Sequence, residues 1–547
     1  LRITKAELAT APNPGALVPF LNSGLSLGTI IASAEGRALE AGHYVQSRTG
    51  HRTPVAALEL ACLAAVDGKS SLREIGEKVS TTADPVAVFE GLKRRGFVSF
   101  GFGTARLKRE VYLEPHGDRF LVYAPIRNIA FAVNASAAAF LEALASGVDE
   151  VPEAFRDLFA FVESLGLTGS DDPVPEADLE EPFAPTSVYL LLTSACNLRC
   201  QYCFSSGGDG AANLPQSVAM AAIDLIVGNA AKRLEPVKVR FHGGGEPTLR
   251  WEVLTSTTAY ARSEAKKHGL KAVIGLNTNG LLGEAQVNWI AEHVDSIYLS
   301  FDGPPQVQDL QRPMRSGGGS CGAVLQTMER LTLAGRAFAI RSTVTRESCP
   351  HLKELVELVA PFNVSGIELE PMTLCGRAYE GGCQAPSAEE FIQGYLAAHE
   401  RAHGLGVKLS YSGLRLGGIA STYCGAAGRN FAVTPTGHCT LCHRVCDPAH
   451  PGAEAFIYGA YDEIGKGFSL DLAKIAQARR LHCNTSVACV HCFAKWNCGG
   501  GCYAQNQEEA GQMLLHQRND RCTMTQALTR VELAKRIDAI PTLSFCQ

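Results

Sequence analysis

What this chain of 547 residues lacks narrows the field first. No apolar run reaches the roughly eighteen residues a membrane-spanning helix needs, so no membrane partner is expected. No sign of charge dominates either: 50 Lys and Arg stand against 55 Asp and Glu, a net of -5. That argues against a predominantly electrostatic nucleic-acid binder and leaves room only for a local basic patch. The start lacks the basic, apolar and small-residue succession of a secretion signal, which together with the missing spans predicts a cytoplasmic protein. Leu1 in place of methionine reads as a trimmed start.

Cysteine, by contrast, is plentiful. There are 19, unevenly spread, with most of them between Cys424 and Cys522. Their spacings are those of metal ligands rather than of a disulfide-stapled small domain, in keeping with a reducing compartment.

The first fifty residues carry little signal and read as an irregular lead-in. From Pro54 an apolar helix is expected through Val66, then a capping box at Ser71 to Glu74 opening a second helix, a third over 86–95 and a strand from Phe97. Short strands are expected over 111–113, 119–123 and 129–133, with a helix from Ser136 to Leu144. Between Gly169 and Thr186 acids and prolines accumulate without a basic residue, which predicts a linker. Strands near 188, 238, 272, 296, 337 and 366 then alternate with helices such as Gln216 to Arg233, Glu252 to His268 and Ala323 to Ala334. Six such units predict an α/β fold, a partial (β/α)6 TIM-type barrel with its active site at the C-terminal strand ends.

The chemistry concentrates after the first of those strands, in Thr193-Ser-Ala-Cys196-Asn-Leu-Arg-Cys200-Gln-Tyr202-Cys203-Phe. Three thiolates spaced C-x3-C-x2-C ligate three corners of a four-iron cluster and leave the fourth iron open, as a substrate-binding site requires. A zinc knuckle or buried thiols are the alternatives. The second strand ends in Phe241-His-Gly-Gly244-Gly245-Glu246-Pro. In this order the two motifs resemble the radical S-adenosylmethionine (SAM) enzymes. That resemblance implies a 4Fe-4S cluster on Cys196, Cys200 and Cys203, with SAM chelated by the open iron. It also implies SAM contacts from Tyr202, Gly244, Gly245, Glu246, Asn277, Ser300 and Arg341. Asp302-Gly303 falls at the end of the fourth strand, where the active site is expected to gather, with a simple turn as the alternative.

A second constellation, Cys489-x2-Cys492-x5-Cys498-x3-Cys502, lies downstream of Cys424 and Cys442 and is followed by Cys522. A zinc ribbon is again the alternative. The pattern resembles the SPASM extension of radical SAM enzymes, which implies two auxiliary 4Fe-4S clusters and three clusters in all. One would sit on Cys489, Cys492, Cys498 and Cys522, the other on Cys424, Cys442 and Cys502. The fourth ligand of the latter is left open among Cys375, Cys383, Cys439, Cys446 and a substrate thiolate. Cys62, Cys321, Cys349 and Cys546 read as inert.

The early helices, with Asp67-Gly-Lys-Ser-Ser-Leu-Arg-Glu-Ile-Gly, resemble the winged-helix-like precursor-recognition domains fused to radical SAM maturases. The expected organisation is therefore a peptide-recognition domain over 1–110, an α+β region over 111–168, a linker over 169–186, the barrel over 187–400 and a SPASM domain over 401–547. The resemblance implies a maturase of a ribosomally made peptide, bound through its leader. It would install a thioether or carbon-carbon crosslink and draw electrons from a flavodoxin or ferredoxin. Formylglycine formation on a sulfatase and peptide epimerisation are alternatives, as is an iron-sulfur scaffold without SAM chemistry. Catalytic candidates are His443, which stands where sulfatase maturases carry an acid, with Cys375, Cys383 and Glu370.

Overall fold

The computed structural model describes residues 18–539 apart from 22–25, 31–41, 47–51, 67–71, 80–84, 95–97, 102–105, 149–150, 177–178 and 180. They form two compact units, one within 1–174 and 530–547, the other within 175–529.

The second unit is built on six parallel strands that lie side by side in chain order: β1 (Ser187–Leu190), β2 (Val237–Phe241), β3 (Ala272–Thr278), β4 (Ser296–Ser300), β5 (Phe338–Val344) and β6 (Val364–Pro371). Helices return the chain between them: α1 (Gln216–Arg233), α2 (Trp251–Lys267), α3 (Glu284–His293), α4 (Pro305–Gln311), α5 (Cys321–Leu333) and α6 (Leu352–Val359). Strand alternation explains how this layer positions a site. Along β5, Phe338, Ile340, Ser342 and Val344 are buried. Successive side chains point to opposite faces of a strand, so Arg341 and Thr343 fall on the other face, where they line a cavity. Each strand lies where the sequence places it, and α1 has the expected bounds. The sheet does not close. Leu409–Ser410 adds in parallel to β6, and Ala432–Val433 adds in parallel to β1. Three antiparallel strands, His438–Thr440, Ile457–Asp462 and Gly467–Leu470, follow on the latter side, making eleven strands in all.

In the first unit, helices Ala57–Ala64, Leu72–Val79 and Pro85–Arg94 surround Cys62, Leu63, Ile75, Phe89 and Leu92. Two expectations change here. The lead-in is not irregular throughout, because Val18–Leu21 pairs with Val98–Gly101, and Ser26–Ile30, Gly42–Gln46 and Arg52–Val55 form an antiparallel sheet. Pro54 does not open a helix: it sits in an edge strand, where a missing N–H is tolerated, and the helix starts at Ala57. Residues 67–71 of the recognition motif, with the capping residue Ser71, and Arg95, the expected end of the third helix, lie outside the described residues, as does Cys546.

The same unit contains a three-stranded meander, Tyr112–His116, Arg119–Ala124 and Ile129–Val133, covered by helices Ala135–Ser146 and Arg156–Ser164. The acids read as a solvated linker begin inside this unit. Asp171 pairs with Arg106 at 3.2 Å and Arg109 at 3.0 Å, and Asp172 pairs with Lys108 at 2.6 Å and Arg127 at 2.7 Å. No helix among the described residues is long and apolar enough to cross a membrane.

Candidate active site

The loop after β1 is held from three directions. The hydroxyl of Thr193, at its start, donates to Asn213 Oδ1 at 2.7 Å, and the same Thr193 hydroxyl oxygen accepts the Ala195 N–H at 3.0 Å. The segment after α4 lies along the loop. Gln201 N donates to the Gln311 carbonyl, Arg199 N to that of Pro313, and Arg315 N to that of Asn197, each at 2.9 Å. From the far side Arg377, only 4% exposed, donates to the Cys200 carbonyl at 2.9 Å, the Gly207 carbonyl at 2.8 Å and Asp209 at 2.9 Å. The three cysteines are thereby fixed, and none is in a disulfide.

The glycine motif after β2 is stitched to that loop. Gly245 N donates to the Thr193 carbonyl at 2.6 Å and Glu246 N to that of Ala195 at 2.9 Å. Gly244 has φ +77°, and a Cβ there would lie 2.8 Å from the Thr193 oxygen. These glycines are thus demanded by the cysteine loop itself, not only by a ligand. Glu246 is buried: Oε1 accepts from the hydroxyls of Thr248 and Thr278, each at 2.8 Å, and Oε2 from Asn279 N at 2.8 Å. Burial raises its pKa, and the bonds from Asn279 and Thr248 oppose that. Oε2 keeps capacity for a further donor.

The cysteines, the glycines and Glu246 open onto one cavity of about 580 Å³. Cys196, Cys200, Cys203, Tyr202, Gly244, Gly245, Glu246, Asn277, Ser300 and Arg341, every residue expected at the SAM site, line it. Arg341 is paired with Glu368 at 2.9 Å. Two buried polar atoms at the wall, Asn277 Oδ1 and His242 Nδ1, have no hydrogen-bond partner among the described residues and are available to a bound molecule. N–H groups also point at the sulfurs. Gly207 N is 3.3 Å from Cys203 Sγ, Arg312 Nη1 3.8 Å from Cys200 Sγ and Asn279 Nδ2 3.9 Å from Cys196 Sγ. Convergent thiols with N–H donors and a glycine-lined wall suit a thiolate-held cluster and a polar co-substrate.

Cys424, Cys442 and Cys502 line the same cavity. Arg444 Nη1 lies 3.8 Å from Cys502 Sγ, and its Nη2 is paired with Glu508 at 2.8 Å. Of the four thiols weighed as a further ligand, Cys375 lines the cavity, whereas Cys439 is enclosed in the core. Cys383 packs with its sulfur 3.6 Å from Met372 Sδ in a cluster with Tyr202, and Cys446 is half-buried off the cavity. Cys489, Cys492, Cys498 and Cys522 form a separate group. Burial pushes the Cys489 thiol up to about 12, and the three neighbouring thiols add to that. Gln526 Nε2 donates to Cys492 Sγ at 3.4 Å.

Among the catalytic candidates, His443 faces the cavity with its ring centroid 4.1 Å from that of His242. Burial, and after it Arg341, Arg444 and Arg240, lowers its pKa to about 3. Glu370 accepts from Arg521 at 3.1 Å and Ser412 N at 2.9 Å. Burial would raise its pKa, but Arg521 and Arg341 hold it below 4.5, so it is ionised.

Sequence reading missed Asp302 as a site residue. It is no simple turn: its fully buried carboxylate accepts from Tyr202 OH, Gln311 Nε2 at 2.9 Å, Arg312 Nε at 2.9 Å and Thr343 N at 3.0 Å. Arg312, Arg377, Arg444 and Arg521 had no motif to mark them. Asp302-Gly303 carried a signal, but it was the same one a turn carries.

An open parallel sheet carries a three-cysteine loop after its first strand and a glycine motif after its second, and both line one cavity. Residues 190–359 match the Radical SAM superfamily. The family implies a 4Fe-4S cluster and SAM. Similar chains include the mycofactocin maturase MftC of Mycolicibacterium smegmatis, 29% identical over 47% of this chain and 66% of that protein. The serine-type anaerobic sulfatase-maturating enzyme of Klebsiella aerogenes is 22% identical over 59% of this chain and 82% of its own length. Across the curated relatives it first matches, the chain spans between 49% and 67% of their length. A solved structure of native anSMEcpe with bound AdoMet and Cp18Cys peptide shares the fold. Its TM-score is 0.51 at 18% identity, over 65% of this chain and 100% of that one.

Proposed function

We propose that this enzyme matures a ribosomally made precursor peptide, removing a hydrogen from a core residue and leaving a thioether or carbon-carbon crosslink. The observation that carries this reading is the sharing of one cavity by Cys196, Cys200 and Cys203 and by Cys424, Cys442 and Cys502. A substrate held there meets the site of hydrogen removal and a candidate electron acceptor together. Relatives named as maturases, and the peptide in the anSMEcpe structure, support a peptide substrate.

In this reading Cys196, Cys200 and Cys203 hold the SAM cluster, Cys424, Cys442 and Cys502 one auxiliary cluster, and Cys489, Cys492, Cys498 and Cys522 the other. When bound, the first cluster and SAM supply a carbon-centred radical able to abstract an unactivated hydrogen. The chain's own residues bind and orient. Glu246 Oε2 and the backbone of Gly244 and Gly245 receive the ammonium end of SAM, Arg341 its carboxylate, and Asn277 and Ser300 the ribose side. Glu370, kept ionised by Arg521, and the His242–His443 pair line the wall that faces the substrate. The region 1–110 takes the leader, and a flavodoxin or ferredoxin supplies electrons.

Sulfatase maturation is the second reading, supported by the Klebsiella aerogenes relative and weakened by His443 standing where those enzymes carry an acid. The test is anaerobic co-expression with candidate short peptides, starting with any short open reading frame found beside the gene, followed by fragmentation mass spectrometry. Loss of two hydrogens localised between two side chains supports the crosslink. A formylglycine mass change at Cys or Ser supports the second reading, and an unchanged mass in ordinary and deuterated solvent contradicts both.

A further inference from the structure

The segment that braces the cysteine loop brings a cation to one sulfur. Arg312 follows α4, and its backbone neighbours Gln311 and Pro313 accept from Gln201 N and Arg199 N at 2.9 Å, so its position relative to the loop is set by main chain. Its guanidinium divides its contacts. Nε and Nη2 reach Asp302 at 2.9 and 3.4 Å, its carbon stands 5.2 Å from the centre of the Tyr202 ring, and Nη1 is 3.8 Å from Cys200 Sγ. Asp302 lies at 0% side-chain exposure and Arg312 at 9%. A structural ion pair would need nothing more than the two charges. Here the pair is oriented, with its positive end at the thiol and its negative end turned toward β5, where Thr343 N binds the carboxylate at 3.0 Å.

We propose that Arg312, oriented by Asp302, is a positioning residue that raises the reduction potential of the cluster held by Cys196, Cys200 and Cys203. This rests on the assignment of those cysteines made above. A cation hydrogen-bonded to a ligating thiolate stabilises the more negative, reduced state of the cluster. The effect is enlarged because both charges are almost wholly withdrawn from water. Asp302 opposes it in part, since it is the nearer counter-charge. The two residues therefore act with opposite sign. Removing the positive end must make the cluster harder to reduce, and removing the negative end must make it easier. A pair that only holds the fold together has no reason to split in sign.

The experiment is a redox titration followed by electron paramagnetic resonance on the full chain, reconstituted anaerobically, as wild type, Arg312→Gln, Arg312→Lys and Asp302→Asn. The signal followed is the one that changes when SAM is added, which separates this cluster from any other. The expected result is a shift to more negative potential in Arg312→Gln, a smaller shift of the same sign in Arg312→Lys, and a shift to more positive potential in Asp302→Asn. Shifts of one sign in all variants, or none, overturn the proposal. Should Arg312→Gln fail to fold, the opposed signs of Arg312→Lys and Asp302→Asn decide it. A wild-type protein that binds iron but shows no SAM-sensitive signal overturns the cysteine assignment instead.

Discussion

Gly245 and Ala195 approach so closely that a Cβ on Gly245 would lie 1.9 Å from the Ala195 carbonyl oxygen. The contact joins the strand-end glycines to the cysteine loop, so it couples the two motifs that define the site. Gly245→Ala is expected to force them apart at a cost of about 3 kcal/mol, the upper end for overpacking a fixed backbone. Iron content after reconstitution and SAM binding should both fall while circular dichroism stays near wild type. Full iron loading with unchanged SAM affinity would contradict this coupling.

Arg377 braces the other side of the loop. Arg377→Ala removes three hydrogen bonds to the Cys200 and Gly207 carbonyls and to Asp209, and leaves those acceptors partly unsatisfied. Local loosening by about 2–3 kcal/mol is expected. In iron-free protein, Cys200 and Cys203 should alkylate at least tenfold faster, with little change at the buried Cys62. Mass-spectrometric footprinting reads both rates.

Arg521 and Glu370 form a buried pair at 3.1 Å, and Arg521 immediately precedes Cys522. Arg521→Ala strands an ionised carboxylate and should destabilise the second unit by about 3–5 kcal/mol. Adding Glu370→Ala should recover part of the loss. A thermal-unfolding double-mutant cycle measures the coupling, and strict additivity would contradict a direct pair.

The first unit carries a pH signature at Asp172. Burial pushes this carboxyl up, but hydrogen bonds from Arg127 and Lys108 hold it below 3.8. A folded pKa lower than the unfolded one means stabilisation above the unfolded value, lost as pH falls through the folded value. Asp172→Asn should therefore cost about 1 kcal/mol at pH 7 and converge with wild type as pH falls through the lowered folded value. Unfolding of residues 106–174 followed by hydrogen exchange against pH checks the sign.

Much of the barrel was legible because its strands are short, mostly apolar runs and helices such as Gln216–Arg233 and Trp251–Lys267 are much longer, so length and periodicity separate them. The cysteine and glycine motifs were legible because their spacing carries chemistry. Strands such as Ser26–Ile30 and Gly42–Gln46 were not, since they are five residues long, include glycine and draw their definition from pairing partners. Asp302 and Arg312 belong to different segments after β4 and meet Tyr202 from a third, a convergence that no local pattern encodes. Asp171 and Asp172 read as solvated linker charge because their partners Arg106, Lys108, Arg109 and Arg127 lie far back in the chain.

The most direct test of the central claim follows the hydrogen. The precursor peptide identified by the co-expression test, made with perdeuterated amino acids, is incubated in ordinary water with the reduced, reconstituted enzyme and SAM, and the 5'-deoxyadenosine is weighed by mass spectrometry. The account predicts deuterium in 5'-deoxyadenosine from wild type and no 5'-deoxyadenosine at all from the variant with alanine at Cys196, Cys200 and Cys203. Unlabelled 5'-deoxyadenosine with an unmodified peptide would contradict peptide maturation, and unchanged SAM cleavage by the alanine variant would contradict the site itself.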